Sequence, residues 1–214
     1  TRSFTLTSVN DAPELTGTPV TLSAGTEDFA YTINASDLLQ GYSDVEFSSL
    51  SLTNLQVNNG AQITDNGNGT YTITPAANYN GPIQISYGVT DGTATTNATR
   101  SFTVNAVNDL PTLTSAQATL TAGTEDVAYR VNTSDLLQGF TDADGTLSIS
   151  NTISVNQGSI VKSDDGTYYT ITTPKDYNGN VQISYGVTDG IATTDATRSF
   201  TLTSVNDAPE LTGT

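Results

Sequence analysis

The chain has 214 residues, with 22 acidic against 6 basic side chains, no histidine, and a formal charge of −16. A field of that sign repels phosphate backbones and anionic lipid headgroups, which argues against nucleic acid or direct membrane contact. Cysteine is absent too, so disulfides, thiol nucleophiles and thiolate metal sites are excluded together.

Taken in order, the chain opens on residues 1–8, an alternating run that returns unchanged at 197–204. Val9-Asn10-Asp11-Ala12-Pro13 follows and returns at residues 205–209. A variant, Val107-Asn108-Asp109-Leu110-Pro111, lies between them, so Asp11, Asp109 and Asp207 stand 98 residues apart. Most other landmarks recur at the same offset, including Thr26-Glu27-Asp28 with Thr124-Glu125-Asp126. A period near one hundred residues is too long for common solenoid repeats and suits a self-contained sandwich domain. Residues 9–106 are therefore a first repeat with its leading linker, and 107–204 a second. Residues 1–8 are expected to be the last strand of a preceding repeat, lacking a sheet of their own. Residues 205–214 are a linker and the start of a following repeat.

Within the first repeat, residues 20–23 alternate apolar and hydroxylated side chains and predict a first strand, broken at Ala24-Gly25-Thr26-Glu27-Asp28. A second strand is expected over 29–33. Ser36-Asp37-Leu38-Leu39-Gln40-Gly41 predicts one capped helical turn ended by glycine. Strands follow over 50–57, 61–65 and 70–74, the last two joined by the hairpin signal Asn66-Gly67-Asn68-Gly69. Ile83, Ile85, Tyr87 and Val89 form the clearest alternation, and Asp91-Gly92 turns the chain into a final strand over 101–105. The second repeat runs likewise from residue 119 to 204, with its hairpin at Asp164-Asp165-Gly166. Asn78-Tyr79-Asn80-Gly81 and Asp176-Tyr177-Asn178-Gly179 sit where a tyrosine corner would bond upstream backbone. The expected architecture is all-β: two tandem seven-stranded Greek-key β-sandwiches of immunoglobulin-like type in an elongated array.

Thr-Glu-Asp, Asp-Leu-Leu, Asp142-Ala143-Asp144-Gly145, Tyr-Asn-Gly, Thr-Asp-Gly and Val-Asn-Asp-Ala-Pro occur in that order. The set resembles the cadherin-like tandem repeats of giant bacterial repeats-in-toxin adhesins. The resemblance covers essentially the whole chain. It implies an extracellular, calcium-rigidified extender segment at a bacterial cell surface, which spaces a distal binding domain away from the cell. The Gly-Gly-x-Gly-x-Asp nonapeptides of the toxin-type β-roll are absent.

Successive turns of a seven-stranded sandwich alternate between its two ends, and this places the chemistry. In the second repeat the turns carrying Asp142, Asp144 and Asp189 are expected beside the incoming linker Asn108-Asp109. The first repeat's opposite end carries Glu27 and Asp28. Hard oxygen ligands in that number suit Ca²⁺, which takes six to eight oxygens in flexible geometry. The bland alternative is ordinary Asp-Gly and Asn-Asp turns in an acidic surface; against it stand their convergence at one end and the absence of matching lysines. One to three ions per joint are expected. Asn10, Asp11, Asp44, Glu46 and Asp91 form the corresponding lower half-site of the first repeat, where Glu46 replaces the shorter aspartate and its glycine is lost. Glu125, Asp126, Asn206 and Asp207 form an upper half-site awaiting a further repeat. Asp37 and Asp135 read as first-turn helix charges or caps.

No enzyme is expected, because the candidate carboxylates recur at every period rather than lining a unique cleft. The alternative function is direct adhesion or self-association, with threonine-rich strand faces offered to sugar, ice or another copy. The expected partners are calcium ions and neighbouring repeats of the same chain, which is otherwise monomeric.

Overall fold

The computed structural model describes residues 2–46 and 49–208. Thr1, Phe47 of the Asp44-Val45-Glu46-Phe47 run, Ser48, and residues 209–214 of the expected linker and following repeat lie outside them. The chain divides into two compact units, Thr1–Val107 and Asn108–Thr214.

The first unit contains β1 (Glu14–Leu15), β2 (Gly25–Thr26), β3 (Tyr31–Asn34), α1 (Ala35–Leu39), β4 (Tyr42–Ser43), β5 (Ser51–Val57), β6 (Gln62–Asp65), β7 (Thr70–Thr74), β8 (Gly81–Thr90) and β9 (Thr95–Asn105). One sheet has the order β2-β9-β8-β5 and the other β3-β7-β6, while β1 and β4 form a separate ribbon. Among the described residues of this unit, β2 pairs parallel with β9 and the other pairings are antiparallel. Ile83, Ile85, Tyr87 and Val89 of β8 are buried and meet Ile33 and Ile73 of the opposite sheet in one core. The period-two alternation read in the sequence is thus the inward face of a sandwich.

The second unit repeats this plan with β10 (Thr112–Leu113), β11 (Gly123–Thr124), β12 (Tyr129–Asn132), α2 (Thr133–Leu137), β13 (Phe140–Thr141), β14 (Ser148–Ile149), β15 (Ser154–Val155), β16 (Ser159–Lys162), β17 (Tyr168–Thr172), β18 (Gly179–Thr188) and β19 (Thr193–Thr203). Its sheets are β11-β19-β18-β14 and β12-β17-β16, with β15 also paired to β18. Where β5 is one strand carrying a bulge between Thr53 and Gln56, the second unit breaks the strand into β14 and β15. Its core gathers Val131, Ile171, Val181, Ile183, Tyr185, Val187, Phe200 and Leu202.

Three local expectations are corrected. Residues 20–23 pair with nothing as a strand; the pairing falls on Gly25–Thr26, inside the predicted break. The cause is steric. Tyr129 and Phe200 stack at 3.7 Å in the second unit, and a Cβ on Gly123 would sit 2.8 Å from both the Tyr129 ring and Leu202. Glycine lets the backbone slide against that stack and reach the edge of the last strand. The final strand is also six residues longer than expected, starting at Thr95 rather than 101. Lastly, the Tyr79 and Tyr177 hydroxyls donate downstream, to the carbonyls of Pro82 (2.8 Å) and Asn180 (2.9 Å). They are not upstream-bonding corners. The long-range tyrosine bonds come from the core instead, where Tyr87 and Tyr185 donate to Leu38 O (3.0 Å) and Leu136 O (2.8 Å) at the short helices.

Each helix begins one residue earlier than predicted, after Asn34 or Asn132, with no side-chain capping bond. Asp37 and Asp135 accept the amides of those asparagines at 2.9 and 2.8 Å. This ties them to the helix starts. Residues 2–8 carry no strand pairing, and Phe4 and Leu6 are 85% and 84% exposed.

Candidate metal centre

The incoming linker of the second unit is held by the carboxylates that sequence spacing assigned to it. Asn108 donates from Nδ2 to Asp189 Oδ2 at 2.8 Å, and the backbone N–H of Asp109 donates to Asp144 Oδ2 at 2.7 Å. Asp142 Oδ1 accepts the N–H groups of Asp144 (2.9 Å) and Gly145 (2.7 Å), closing the acidic loop on itself. The Thr194 hydroxyl donates to Pro111 O at 2.6 Å and pins the linker to β19. Asn108, Asp109, Asp142, Asp144 and Asp189 therefore converge within this unit.

Asp189 Oδ1 accepts two further amides, from Ile191 and Ala192, each at 2.7 Å. The Ala192 and Ile191 donors hold its carboxyl below the usual range, so it is ionised at neutral pH. Asp142 Oδ2 is different: it is shielded from solvent and has no hydrogen-bond partner. A buried carboxylate oxygen without a partner is costly, and a hard cation is the simplest group that would satisfy it. On that criterion the residues fit Ca²⁺.

The first unit builds the same end with one altered arm. Asn10 donates to Asp91 Oδ2 at 2.8 Å, Asp91 Oδ1 accepts Thr93 N (2.6 Å) and Ala94 N (2.7 Å), and Asp44 Oδ1 accepts Glu46 N at 3.0 Å. Asp91 is held below the usual range by the Ala94 and Thr93 amides. Glu46 Oε2 receives the N–H of Asp11 at 3.3 Å, against 2.7 Å for its Asp144 counterpart. The longer side chain reaches the same partner with a weaker bond.

The opposite ends are built on Glu27 and Glu125, both almost wholly buried. Glu125 Oε1 accepts Val205 N (2.7 Å) and Oε2 accepts Asn178 Nδ2 (3.0 Å); Glu27 receives Val107 N and, at 3.4 Å, Asn80 Nδ2. Asp28 and Asp126 adopt φ near +60° and accept the backbone N–H of Asn78 (3.0 Å) and Asp176 (2.9 Å). In the second unit, carboxylate oxygens of Asp126, Asp176 and Asp207 lie within 4.8 Å of one another, all three exposed. Partial desolvation, then Asp176, Asp126 and Glu125, raise the Asp207 carboxyl above its ordinary value, as expected where carboxylates crowd. Asn206 turns its amide back onto Asp207 O at 3.3 Å.

Asp176 was not predicted, nor were the amides of Asn80 and Asn178. The signal existed: all three lie in the Tyr-Asn-Gly turns, which the alternation of ends places beside the Glu-Asp turn. Beside this cluster, Lys175 Nζ lies 3.6 Å from Asp176 Oδ2. That pair is exposed, and one ammonium does not balance four carboxylates.

The sequence matches the cadherin-like domain family over residues 9–105 and again over 107–203. Comparison with curated proteins finds no match. Among solved structures, human protocadherin-24 EC1-2 is 14% identical over 93% of this chain and 100% of that one, with a TM-score of 0.51. Extracellular cadherin domains 1-4 of protocadherin gamma B7 are 13% identical over 87% of this chain and 49% of that one, with a TM-score of 0.46. The endo-fucoidan hydrolase MfFcnA4 from glycoside hydrolase family 107 is 20% identical, at a TM-score of 0.37. That match covers 91% of this chain, which spans only 29% of the hydrolase's length. At that TM-score the likeness carries no argument about this chain.

Proposed function

The chain belongs to the cadherin-like domain family, and from that premise we propose that it is a structural extender of a large bacterial surface adhesin. It is stiffened by Ca²⁺ at the joints between successive domains and projects a distal ligand-binding domain away from the cell. No helix among the described residues is long and apolar enough to cross a membrane. The observation that carries the reading is Asp142, whose Oδ2 is shielded from solvent without a hydrogen-bond partner while its Oδ1 holds the loop.

The residues that hold the ion at the central joint are Glu27, Asp28, Asn108, Asp109, Asp142, Asp144 and Asp189. Asn10, Asp11, Asp44, Glu46 and Asp91 do so at the leading joint. Glu125, Asp126, Asp176, Asn206 and Asp207 do so at the trailing one. When bound, Ca²⁺ supplies the positive charge that such crowded carboxylates lack. Because repulsion between them opposes alignment, ligation available only in the aligned state favours a rod by mass action.

Spin labels on the outer faces of the two domains test this. The distance distribution is expected to narrow across ~10⁻⁴–10⁻³ M calcium, the range typical of extracellular modules, and to broaden again with excess chelator. An unchanged distribution sinks the reading. In the same assay Asp109→Ala is expected to blunt the response, whereas Asp135→Ala leaves it intact, since Asp135 serves the Asn132 amide at the start of α2. Equal effects would undo the ligand assignment.

A further inference from the structure

Val107 and Val205 lie two residues beyond the ends of β9 and β19, and the two residues are 46% and 52% exposed. Apolar burial therefore does not hold the chain there. Both backbone N–H groups nonetheless donate to a carboxylate oxygen on a buried glutamate, Val107 to Glu27 and Val205 to Glu125. The same glutamates give their own N–H to the last strand residue, Glu27 to Asn105 O and Glu125 to Thr203 O, each at 3.0 Å. Each glutamate thus brackets the departing chain, donating before the exit and accepting after it. The second carboxylate oxygen takes an asparagine amide from the Tyr-Asn-Gly turn, so the carboxylate is braced from two sides.

The bracket extends the short parallel pairing of β2 with β9 and of β11 with β19. Glutamate supplies both the reach and the charge. Aspartate at this position is one methylene shorter, and an uncharged residue forfeits the charge-assisted bond.

We propose that Glu27 and Glu125 are positioning residues that clamp the departing chain in the metal-free protein. The clamp fixes where each domain releases its linker and orders the linker's first residues before any cation arrives. It goes beyond the extender reading because it needs no ion. Its consequence for that reading is preorganisation: a clamp at Val205 holds Asp207, two residues on, beside Asp126 and Asp176.

Residue-resolved amide exchange on the whole chain in excess chelator tests the clamp. The Val107 and Val205 amides are expected to exchange far more slowly than those of residues 2–8, which pair with nothing. Glu125→Ala is expected to speed exchange at Val205 by ~30-fold, about 2 kcal/mol, while amides within β19 keep their rates. Glu125→Gln retains an acceptor oxygen but loses the charge, so it is expected to keep most of the Val205 protection while weakening calcium binding. Open-chain exchange at Val107 and Val205 in the chelated wild type overturns the clamp. So does protection that appears only when calcium is added, although the extender reading survives that result. Protection in chelator combined with a calcium-insensitive label distance leaves the clamp standing and removes the extender reading.

Discussion

Replacing Arg198 with alanine is expected to cost the second domain about 4 kcal/mol, whereas Arg100→Ala costs the first about 1 kcal/mol or less. The two arginines occupy equivalent inward positions of β19 and β9, yet their surroundings differ. The buried Arg198 guanidinium donates to Tyr185 Oη (3.2 Å), Ala118 O (3.0 Å), Asp135 O (3.0 Å) and Gln138 O (3.2 Å). Two of those carbonyls, Asp135 within α2 and Gln138 at its C-cap, lie at the end of a helix too short to satisfy its own C-terminal groups. With Tyr185 bonded to Leu136 O, the arginine and tyrosine together replace the missing turn of helix.

In the first domain Arg100 instead donates from Nη1 to Thr99 O at 3.1 Å, and its Nε and Nη2 are shielded without hydrogen-bond partners. Its guanidinium lies 6.0 Å from the ring of Tyr42, where the second domain has Phe140. A buried donor without an acceptor is a liability, so deleting it offsets much of the packing lost. Burial lifts the neighbouring Tyr87 hydroxyl to about 12, with Arg100 pulling the other way, and burial raises Tyr185 as well, so Tyr87 and Tyr185 stay neutral at working pH. Amide exchange at Ile183 and Ile85, one buried residue per domain, reads the two stabilities separately. Arg198→Ala is expected to accelerate exchange at Ile183 by ~10³-fold with Ile85 unchanged. Equal losses from the two substitutions would show that the helix-end bonds contribute little.

Arg198 also shows where sequence reading stops. The expected last strand begins just after Arg198 and leaves the arginine outside it, whereas β19 places it inward between Ala196 and Phe200. Only the tertiary fold shows that a stunted helix needs its donors. The strand alternation of β8 and β18 and the convergence of Asp142, Asp144 and Asp189 on Asn108-Asp109 were legible, because both follow from strand geometry and topology. The first strand was misplaced because its placement depends on a close approach beneath two stacked rings, which no local pattern encodes. Asp176 was missed for a related reason. Its turn was read for the tyrosine it contains rather than for the end of the sandwich it occupies.

The other large effect expected is a calcium-dependent melting temperature that Asp142 governs with a definite sign. An ion held with a dissociation constant of ~10⁻⁴ M and supplied at about 10 mM adds roughly 2.7 kcal/mol. For a domain of this size that raises the midpoint by about 10–20 °C. Asp142→Asn separates the metal from the loop. The asparagine oxygen still accepts the Asp144 and Gly145 amides, while the oxygen that has no partner becomes a neutral amide nitrogen. In chelator the variant is therefore expected to melt at or above the wild-type temperature, because an unsatisfied buried charge has been removed. In calcium it is expected to melt below wild type, because a ligand has gone. The two melting curves should cross as calcium rises. A variant that is destabilised equally with and without calcium would mean that Asp142 matters only to the loop, and that its shielded oxygen awaits no ion.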